Sequence, residues 1–326
     1  MNKWDKRHLR NINVYLRDID RLFSEAVVDV AKIAQLIDGL GDEPFQWSDS
    51  PLAQSRIDDI VATLRRRLEQ TITDGIRTEW ELSNDKNDAI CDLFLNGGSA
   101  SMGGDGLLEY YSRDEDALNR LLSRKVNGRT LSKRVWEMTD GFKDEMEMAL
   151  GIGIREGKSA DSLSRDIRSY LKEPNKLFRR VRDEYGNLQL SKNAKAYHPG
   201  QGVYRSSYMN AKRVTVTDTN TAYRTADHER WQKMDFVIGI EIRLSNNHNC
   251  KGIPAGTFVD ICDDLKGKYP KDFMFTGWHP FCRCYAVPIL RNQSDLDARN
   301  EFIRESDKAK AGDDLDVREM PKQFND

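Results

Sequence analysis

Hydrophobic residues recur every three or four positions over the first third of the chain. The first series is Leu9, Ile12, Leu16, Ile19, Phe23, Val27, Val30, Ile33 and Ile37. The second is Leu52, Ile57, Ile60, Leu64, Leu68, Ile72, Ile76 and Trp80. This spacing places each series on one face of a helix, so we predict two long helices that pair as an antiparallel hairpin. The same faces would also suit docking onto helices of a partner.

Helix boundaries are marked by capping residues and helix breakers. Pro51 suits the first turn of the second helix, with Ser48 or Asp49 as its N-cap. Further helices are predicted over Ala89 to Asn96, Arg113 to Lys125, Leu131 to about Leu150, and from the cap Ser159 through Leu171.

The pattern changes after residue 176. Two short strand-like runs flank a Tyr-Gly-Asn turn and predict a β-hairpin, and a proline- and glycine-containing linker follows. A helix is then predicted from Ser206 to about Met234, and the alternating "DFVIGIEIRL" predicts a strand. The sequence thus predicts an α+β, predominantly α-helical fold. Its parts are a helical region 1–175, a basic hairpin and linker 176–204, a small mixed α/β Cys/His-rich module 205–290, and an acidic tail 291–326.

The composition excludes some classes of protein. Hydrophobic residues make up 38% of the chain and charged residues 32%, and the net charge is −2. No run approaches the roughly 20 apolar residues of a membrane span, and the N-terminus lacks the apolar core of a signal peptide. We therefore expect no membrane association and a reducing cytoplasm, where clustered cysteines more often bind metal than form disulfides.

The local charge is less even than the total. The segment from Lys176 to Arg213 contains nine Lys or Arg residues and two acidic residues. This basic charge suits either a solvated surface or contacts with DNA phosphates. The candidate DNA contacts are Arg179, Arg180, Arg182, Lys192, Lys195, Arg205, Lys212 and Arg213.

Cysteine and histidine cluster near the C-terminal end. Four of the five cysteines lie between Cys250 and Cys284, whereas Cys91 stands alone in a predicted helix and suits buried packing. A structural zinc ion needs four thiolate or imidazole ligands. The candidate ligands are Cys262, His279, Cys282 and Cys284, with His248 and Cys250 as alternates. Buried cysteines without metal and a catalytic thiol are the other interpretations. Because no HExxH or PCxxC motif accompanies the cluster, a bound zinc is expected to be structural.

Four segments in order carry a family resemblance: "RVTVTDTNTAYRTADHERW", "DFVIGIEIRLSNNH", "DICDDLKGKYP" and "GWHPFCRCYAVPIL". Together they resemble the Mu F-like head morphogenesis domain of minor capsid proteins of tailed bacteriophages, over roughly residues 205 to 290. Besides the candidate ligands, the motif positions are Thr217, Asn220, Tyr223, Arg224, Asp263, Pro280 and Arg283. Asp218 departs from the pattern, since members often carry Glu there.

The resemblance implies a protein of the capsid interior, present in the host cytoplasm during assembly. Its implied partners are the phage portal protein, scaffold or major capsid protein, and packaged DNA bound without sequence preference. It implies a role in head assembly and in DNA packaging or delivery, and no enzymatic activity. The alternative is a zinc-dependent nucleic-acid-acting enzyme or a toxin-related protein. A zinc-containing transcription regulator is a weaker third class.

Overall fold

The structure is a computed structural model that describes residues 1–37, 45–96, 108–173, 180–182, 184–190, 204–245 and 260–291. The chain forms two compact units. The first unit comprises Met1–Val14, Asp74–Leu122 and Val216–Asp326, and the second comprises Tyr15–Thr73 and Ser123–Thr215. The division predicted at residues 175, 204 and 290 stays a prediction.

Two long helices open the chain, as the hydrophobic series predicts. Helix α1 spans Lys3–Ile33 and helix α2 spans Pro51–Asn96. Their contacts run in opposite chain directions, which confirms the antiparallel pairing. In the first unit Asn11 donates to Glu79 at 2.9 Å, and in the second Arg67 contacts Glu25 at 2.6 Å.

Two predictions about α2 are wrong. The segment from residue 89 to 96 is not a separate helix, because α2 continues without a break. The apolar series stops at Trp80, because the next turns of the same helix bury polar residues, among them Ser83, Lys86 and Asn87. The helix therefore continues although its hydrophobic pattern does not. The predicted N-cap, Ser48 or Asp49, is also wrong. The hydroxyl that accepts a hydrogen bond from the first turn of α2 is that of Ser50, which accepts the Ala53 N–H at 3.4 Å.

Three further helices complete the described part of the helical region. They are α3 (Glu115–Ser123), α4 (Leu131–Arg155) and α5 (Ala160–Lys172). The predicted cap Ser159 is confirmed, since its hydroxyl accepts the Ser162 N–H. Helix α4 continues past the predicted end at Leu150 into glycine-containing sequence. A Cβ atom on Gly153 would lie 2.5 Å from a Leu163 methyl group, so this glycine permits close packing of α5.

The predicted hairpin and the following helix are both present. Strands β1 (Arg180–Arg182) and β2 (Leu188–Leu190) pair antiparallel. Helix α6 spans Ser207–Lys233, and the Ser206 hydroxyl accepts the Met209 N–H at its start. Nearly every residue of α6 from Val214 to Asp227 is buried, which explains why its sequence lacks a clear polar face.

A three-stranded antiparallel sheet completes the first unit. Strand β3 (Val237–Arg243) lies between β4 (Gly267–Pro270) and β5 (Tyr285–Leu290), with the short helix α7 (Ile261–Leu265) before β4. Strand β3 is predicted from the sequence, whereas no strand is predicted within residues 245–290. The apolar core around the sheet includes Phe236, Ile240, Tyr269, Phe273 and Leu290. The predicted fold class, α+β and mainly helical with a Cys/His-containing C-terminal region, is confirmed.

None of the helices in the described ranges is long and apolar enough to cross a membrane. The predicted acidic tail lies outside these ranges except for Arg291.

Candidate functional site

Three of the predicted ligands come together between α7 and β5. The Sγ atoms of Cys262 and Cys282 and a ring nitrogen of His279 all lie within 4.8 Å of one another. The two sulfur atoms are 3.9 Å apart, and Cys262 Sγ lies 3.1 Å from His279 Nε2. Sulfur ligands about 2.3 Å from a tetrahedral zinc ion are about 3.8 Å apart, so the Cys262–Cys282 spacing fits one edge of such a site. This group, the Cys/His cluster, could bind a metal.

Cys262 is positioned by the start of α7. Asp260 is the N-cap, and its Oδ1 accepts the Cys262 N–H at 2.7 Å. The Asp263 carboxylate accepts the Asp260 N–H at 3.1 Å and completes a capping box. The motif residue Asp263 therefore fixes the turn that presents the Cys262 thiol.

His279 and Cys282 are presented by a tight turn. The Cys282 N–H donates to the His279 carbonyl at 3.1 Å, and Phe281 between them has a φ of 63°, which is unusual for a residue other than glycine. The carbonyl of Pro280 lies 2.7 Å from His279 Nδ1 and thus receives the hydrogen on that nitrogen. His279 Nε2 then faces Cys262 Sγ and also lies 3.3 Å from the Asp260 carboxylate. Nε2 is thus the ring nitrogen that could bind a metal.

The two thiols of the Cys/His cluster are strongly unequal. A hydrogen bond with Cys282 raises the pKa of Cys262. The bond with Cys262 lowers the pKa of Cys282, and the positive charge of Arg224 lowers it further. Because a metal binds the thiolate form of cysteine, metal binding here would release the protons that the thiols hold.

The other predicted ligands have different outcomes. Cys284 is buried beside the two thiols but its Sγ is not in the group within 4.8 Å. The hydrogen bond with Cys262 lowers the pKa of Cys284, whereas the bond with Cys282 and burial raise it, with a net result of about 12. The alternates His248 and Cys250 lie outside the described residues. Cys91 is fully buried, as expected.

Arg224 of α6 binds the backbone around the Cys/His cluster. One terminal nitrogen donates to the carbonyls of Cys282 and Cys284 at 2.8 and 2.7 Å, and the other donates to that of Thr276 at 2.6 Å. Gly277 allows this approach, because a Cβ atom there would lie 2.5 Å from the guanidinium. Its φ of 116° also favours glycine.

Asn220 makes a second connection, one helical turn away. Its Nδ2 donates to the Cys282 carbonyl at 3.0 Å and its Oδ1 accepts from His8 Nε2 at 2.8 Å. Tyr223 lies on the same face of α6, stacks on His8 and donates its hydroxyl to Asp5 at 2.8 Å. Burial, with Asp5 nearby, holds the pKa of Tyr223 well above its usual value.

The remaining motif residues are less directly involved. Arg283 lines a cavity of about 10 Å³ with Asp5 and Cys284, and burial lowers the pKa of its guanidinium. Thr217 accepts the Thr221 hydroxyl through its carbonyl, while its own hydroxyl is enclosed without a partner among the described residues.

The described DNA-contact candidates are half-buried. Lys212 donates to the Tyr208 hydroxyl at 3.2 Å, and Arg213 donates to Asn210 at 2.6 Å. Arg205 is also only partly exposed. For Arg180 and Arg182 only the backbone of β1 is described, and Arg179, Lys192 and Lys195 lie outside the described residues. The DNA contacts stay a prediction.

Four buried residues of α1 and α2 belong to this network but were missed from the sequence. They are Asp5, His8, Glu79 and Lys86. Asp5 and His8 continue the Leu9 and Ile12 face of α1 toward its start, so charged residues on an otherwise apolar helix face were the available signal.

Comparisons with protein-family models, with curated proteins and with solved structures found no match for this chain.

Proposed function

We propose that the Cys/His cluster is a structural zinc site that fixes the 260–291 region against α6. The observation that carries this proposal is the convergence of Cys262, His279 and Cys282, in which the two sulfur atoms are spaced as on one edge of a zinc tetrahedron. Cys284, a buried thiol that interacts with both Cys262 and Cys282, is our candidate for the fourth ligand. Such a closed set suits a structural ion, because catalytic zinc keeps a position open for water.

We further propose that the chain is a minor head protein of a tailed bacteriophage or prophage. It would associate with the portal inside the procapsid and assist head assembly and DNA packaging or delivery. The support is the ordered Mu F-like motif, whose positions 220, 224, 262 and 282 are joined by the contacts above. The motif residues therefore serve as one structural unit.

Mass spectrometry of purified procapsids and mature particles tests the head-protein proposal. The protein should be present at a few copies per portal ring in procapsids. Its absence from both particles, together with wild-type particle yield after deletion of its gene, would reject this role. An enzymatic role would instead appear as turnover that is lost in Cys262→Ser while particles still form.

DNA binding is a separate part of the proposal. The described candidates Arg205, Lys212 and Arg213 would contribute sequence-independent phosphate contacts, so filter binding should weaken steeply as salt rises. Binding that is absent or unaffected by salt would reject this part.

A further inference from the structure

His8 occupies a buried position between two hydrogen-bond acceptors. Its side chain is 8% exposed. Nδ1 lies 2.5 Å from a Glu79 carboxylate oxygen, and Nε2 lies 2.8 Å from Asn220 Oδ1. The ring thus bridges α2 and α6 within the first unit.

Both partners of His8 have fixed roles. Glu79 is a carboxylate whose other oxygen accepts from Asn11 at 2.9 Å. The Asn220 amide is oriented by its second contact, because its Nδ2 must donate to the Cys282 carbonyl and Oδ1 is then left for His8. Glu79 and Asn220 therefore hold the imidazole ring from both sides, one at Nδ1 and the other at Nε2.

Aromatic and ionic contacts hold the ring in this position. The imidazole stacks on Tyr223 with ring centroids 4.2 Å apart and an interplanar angle of 12°. Lys86 Nζ lies 4.3 Å from the centroid of the same tyrosine ring and 3.5 Å from the Asp5 carboxylate. The first turns of α1 therefore contact α6 through Asp5 and His8, which lie about one helical turn apart, and not through apolar packing alone.

We propose that His8 and Asn220 are positioning residues that couple the docking of α1 residues 3–12 to metal binding by the Cys/His cluster. The inference rests on the proposed zinc site. Asn220 is shared: one end of its amide binds His8 and the other binds the backbone carbonyl of the ligand Cys282. If one of the two contacts is lost, the Asn220 amide is no longer held in place for the other. Metal binding should therefore stabilise the docked start of α1, and docking should raise metal affinity by the same factor.

Zinc affinity, measured by competition with a chromophoric chelator, tests the coupling in one direction. His8→Gln and Asn220→Asp should each weaken zinc binding by about tenfold to a hundredfold, the effect usual for residues that orient metal ligands. His228→Gln is the control, because His228 lies on the same helix outside these contacts and should stay within about twofold. The double variant should bind zinc no more weakly than Asn220→Asp alone, since the two residues act through one contact chain.

Hydrogen exchange tests the other direction in the wild-type chain. Removal of zinc by a chelator should accelerate amide exchange in residues 3–12, while α4 and α5 of the second unit serve as the internal reference. Unchanged exchange in residues 3–12, or wild-type zinc affinity in both single variants, would overturn the coupling.

A different result would separate this inference from the zinc proposal. If the wild-type chain binds no zinc, the zinc site is rejected together with its coupling to α1, and the contact chain from His8 through Asn220 to Cys282 is then tested in metal-free protein. His8→Gln should still accelerate exchange in residues 280–286, because the Asn220 amide is no longer held at the Cys282 carbonyl and Arg224 remains as its one fixed donor among the described contacts. Equal exchange in variant and wild type would reject the connection itself.

Discussion

Arg224 donates hydrogen bonds from a single terminal nitrogen to the backbone carbonyls of both Cys282 and Cys284, at 2.8 and 2.7 Å. Its side chain reaches from α6 to the segment that carries the metal-ligand candidates, and its guanidinium lies 4.7 Å from the Phe275 ring centroid. The segment before β5 has little regular structure of its own. In this segment Arg224 donates the hydrogen bonds to backbone carbonyls that a neighbouring strand donates within a sheet.

Replacement of Arg224 should therefore destabilise the first unit. Arg224→Met keeps much of the side-chain volume but removes the Arg224 donor from the carbonyls of Thr276, Cys282 and Cys284, of which only that of Cys282 keeps a second donor, Asn220. We therefore expect a loss of about 3 to 5 kcal/mol in the free energy of unfolding. Arg213→Met is the control, because Arg213 is half-buried, binds the Asn210 side chain of its own helix and lies 5.8 Å from the Tyr204 ring centroid, so its replacement should cost less than about 1 kcal/mol. Urea unfolding measures both, and equal losses would contradict the role of Arg224.

Gly277 should tolerate no side chain. Gly277→Ala introduces a Cβ atom 2.5 Å from the Arg224 guanidinium at a backbone φ of 116°. Gly128→Ala is a matched control, since Gly128 also has positive φ, 76°, but nothing lies within 4 Å of the added atom. We expect about 1 kcal/mol of destabilisation for Gly128→Ala and at least about 2 kcal/mol more for Gly277→Ala. Similar melting temperatures of the two variants would show that Arg224 moves aside without cost.

A buried carboxylate of α4 should stabilise the start of α6. Glu145 is fully buried and accepts the backbone N–H of Ser207 at 3.1 Å as well as the Ser207 hydroxyl. Glu145→Ala leaves that helix-terminal N–H without its partner, and we expect a loss of about 2 to 3 kcal/mol in unfolding free energy. The exposed Glu115→Ala serves as control. A loss below about 0.5 kcal/mol for Glu145→Ala would contradict this capping role.

Asp227 and Asp114 should affect stability with opposite pH dependence. Burial raises the pKa of Asp227, despite its contact with Lys86, whereas the hydrogen bond from the Ala117 backbone lowers the pKa of Asp114. A raised pKa means that the contribution of Asp227 to stability is full below about pH 3.8 and falls as pH rises through its folded-state pKa. The contribution of Asp114 is full above that pH and is lost on acidification.

Unfolding free energies of Asp227→Asn and Asp114→Asn, compared with the wild type from pH 3 to 7, test these signs. The unfolding free energy of the wild type minus that of Asp227→Asn should decrease as pH rises. The same difference for Asp114→Asn should increase. The same slope for both variants would contradict the assigned directions.

The parts of the fold that the sequence predicts are those in which hydrophobic spacing follows burial. Most residues of the series Leu9 to Ile37 and Leu52 to Trp80 are buried, although Leu52 itself is exposed, so the spacing identifies α1 and most of α2. The signal fails where a buried face is polar, as at Lys86 and Asn87, because hydrogen bonds rather than apolar contacts fill the interior there.

The sequence identified the candidate ligands and, through the family resemblance, Asn220 and Arg224, but not the contacts that these residues make. Cys262, His279 and Cys282 are recognisable by residue type and clustering alone. Asn220 and Arg224 of α6 are 62 and 58 positions from Cys282, and their role depends on which carbonyl each side chain reaches. His8 is more distant still, at 212 positions from Asn220, so no local pattern connects it with the Cys/His cluster.

Metal content of the purified protein tests the central claim most directly. Elemental analysis should find about one zinc ion per wild-type chain, little or none in Cys262→Ser and Cys282→Ser, and undiminished zinc in Cys91→Ser, whose thiol lies outside the Cys/His cluster. Wild-type protein that is folded and free of stoichiometric zinc after purification without chelators and with zinc supplied would contradict the claim.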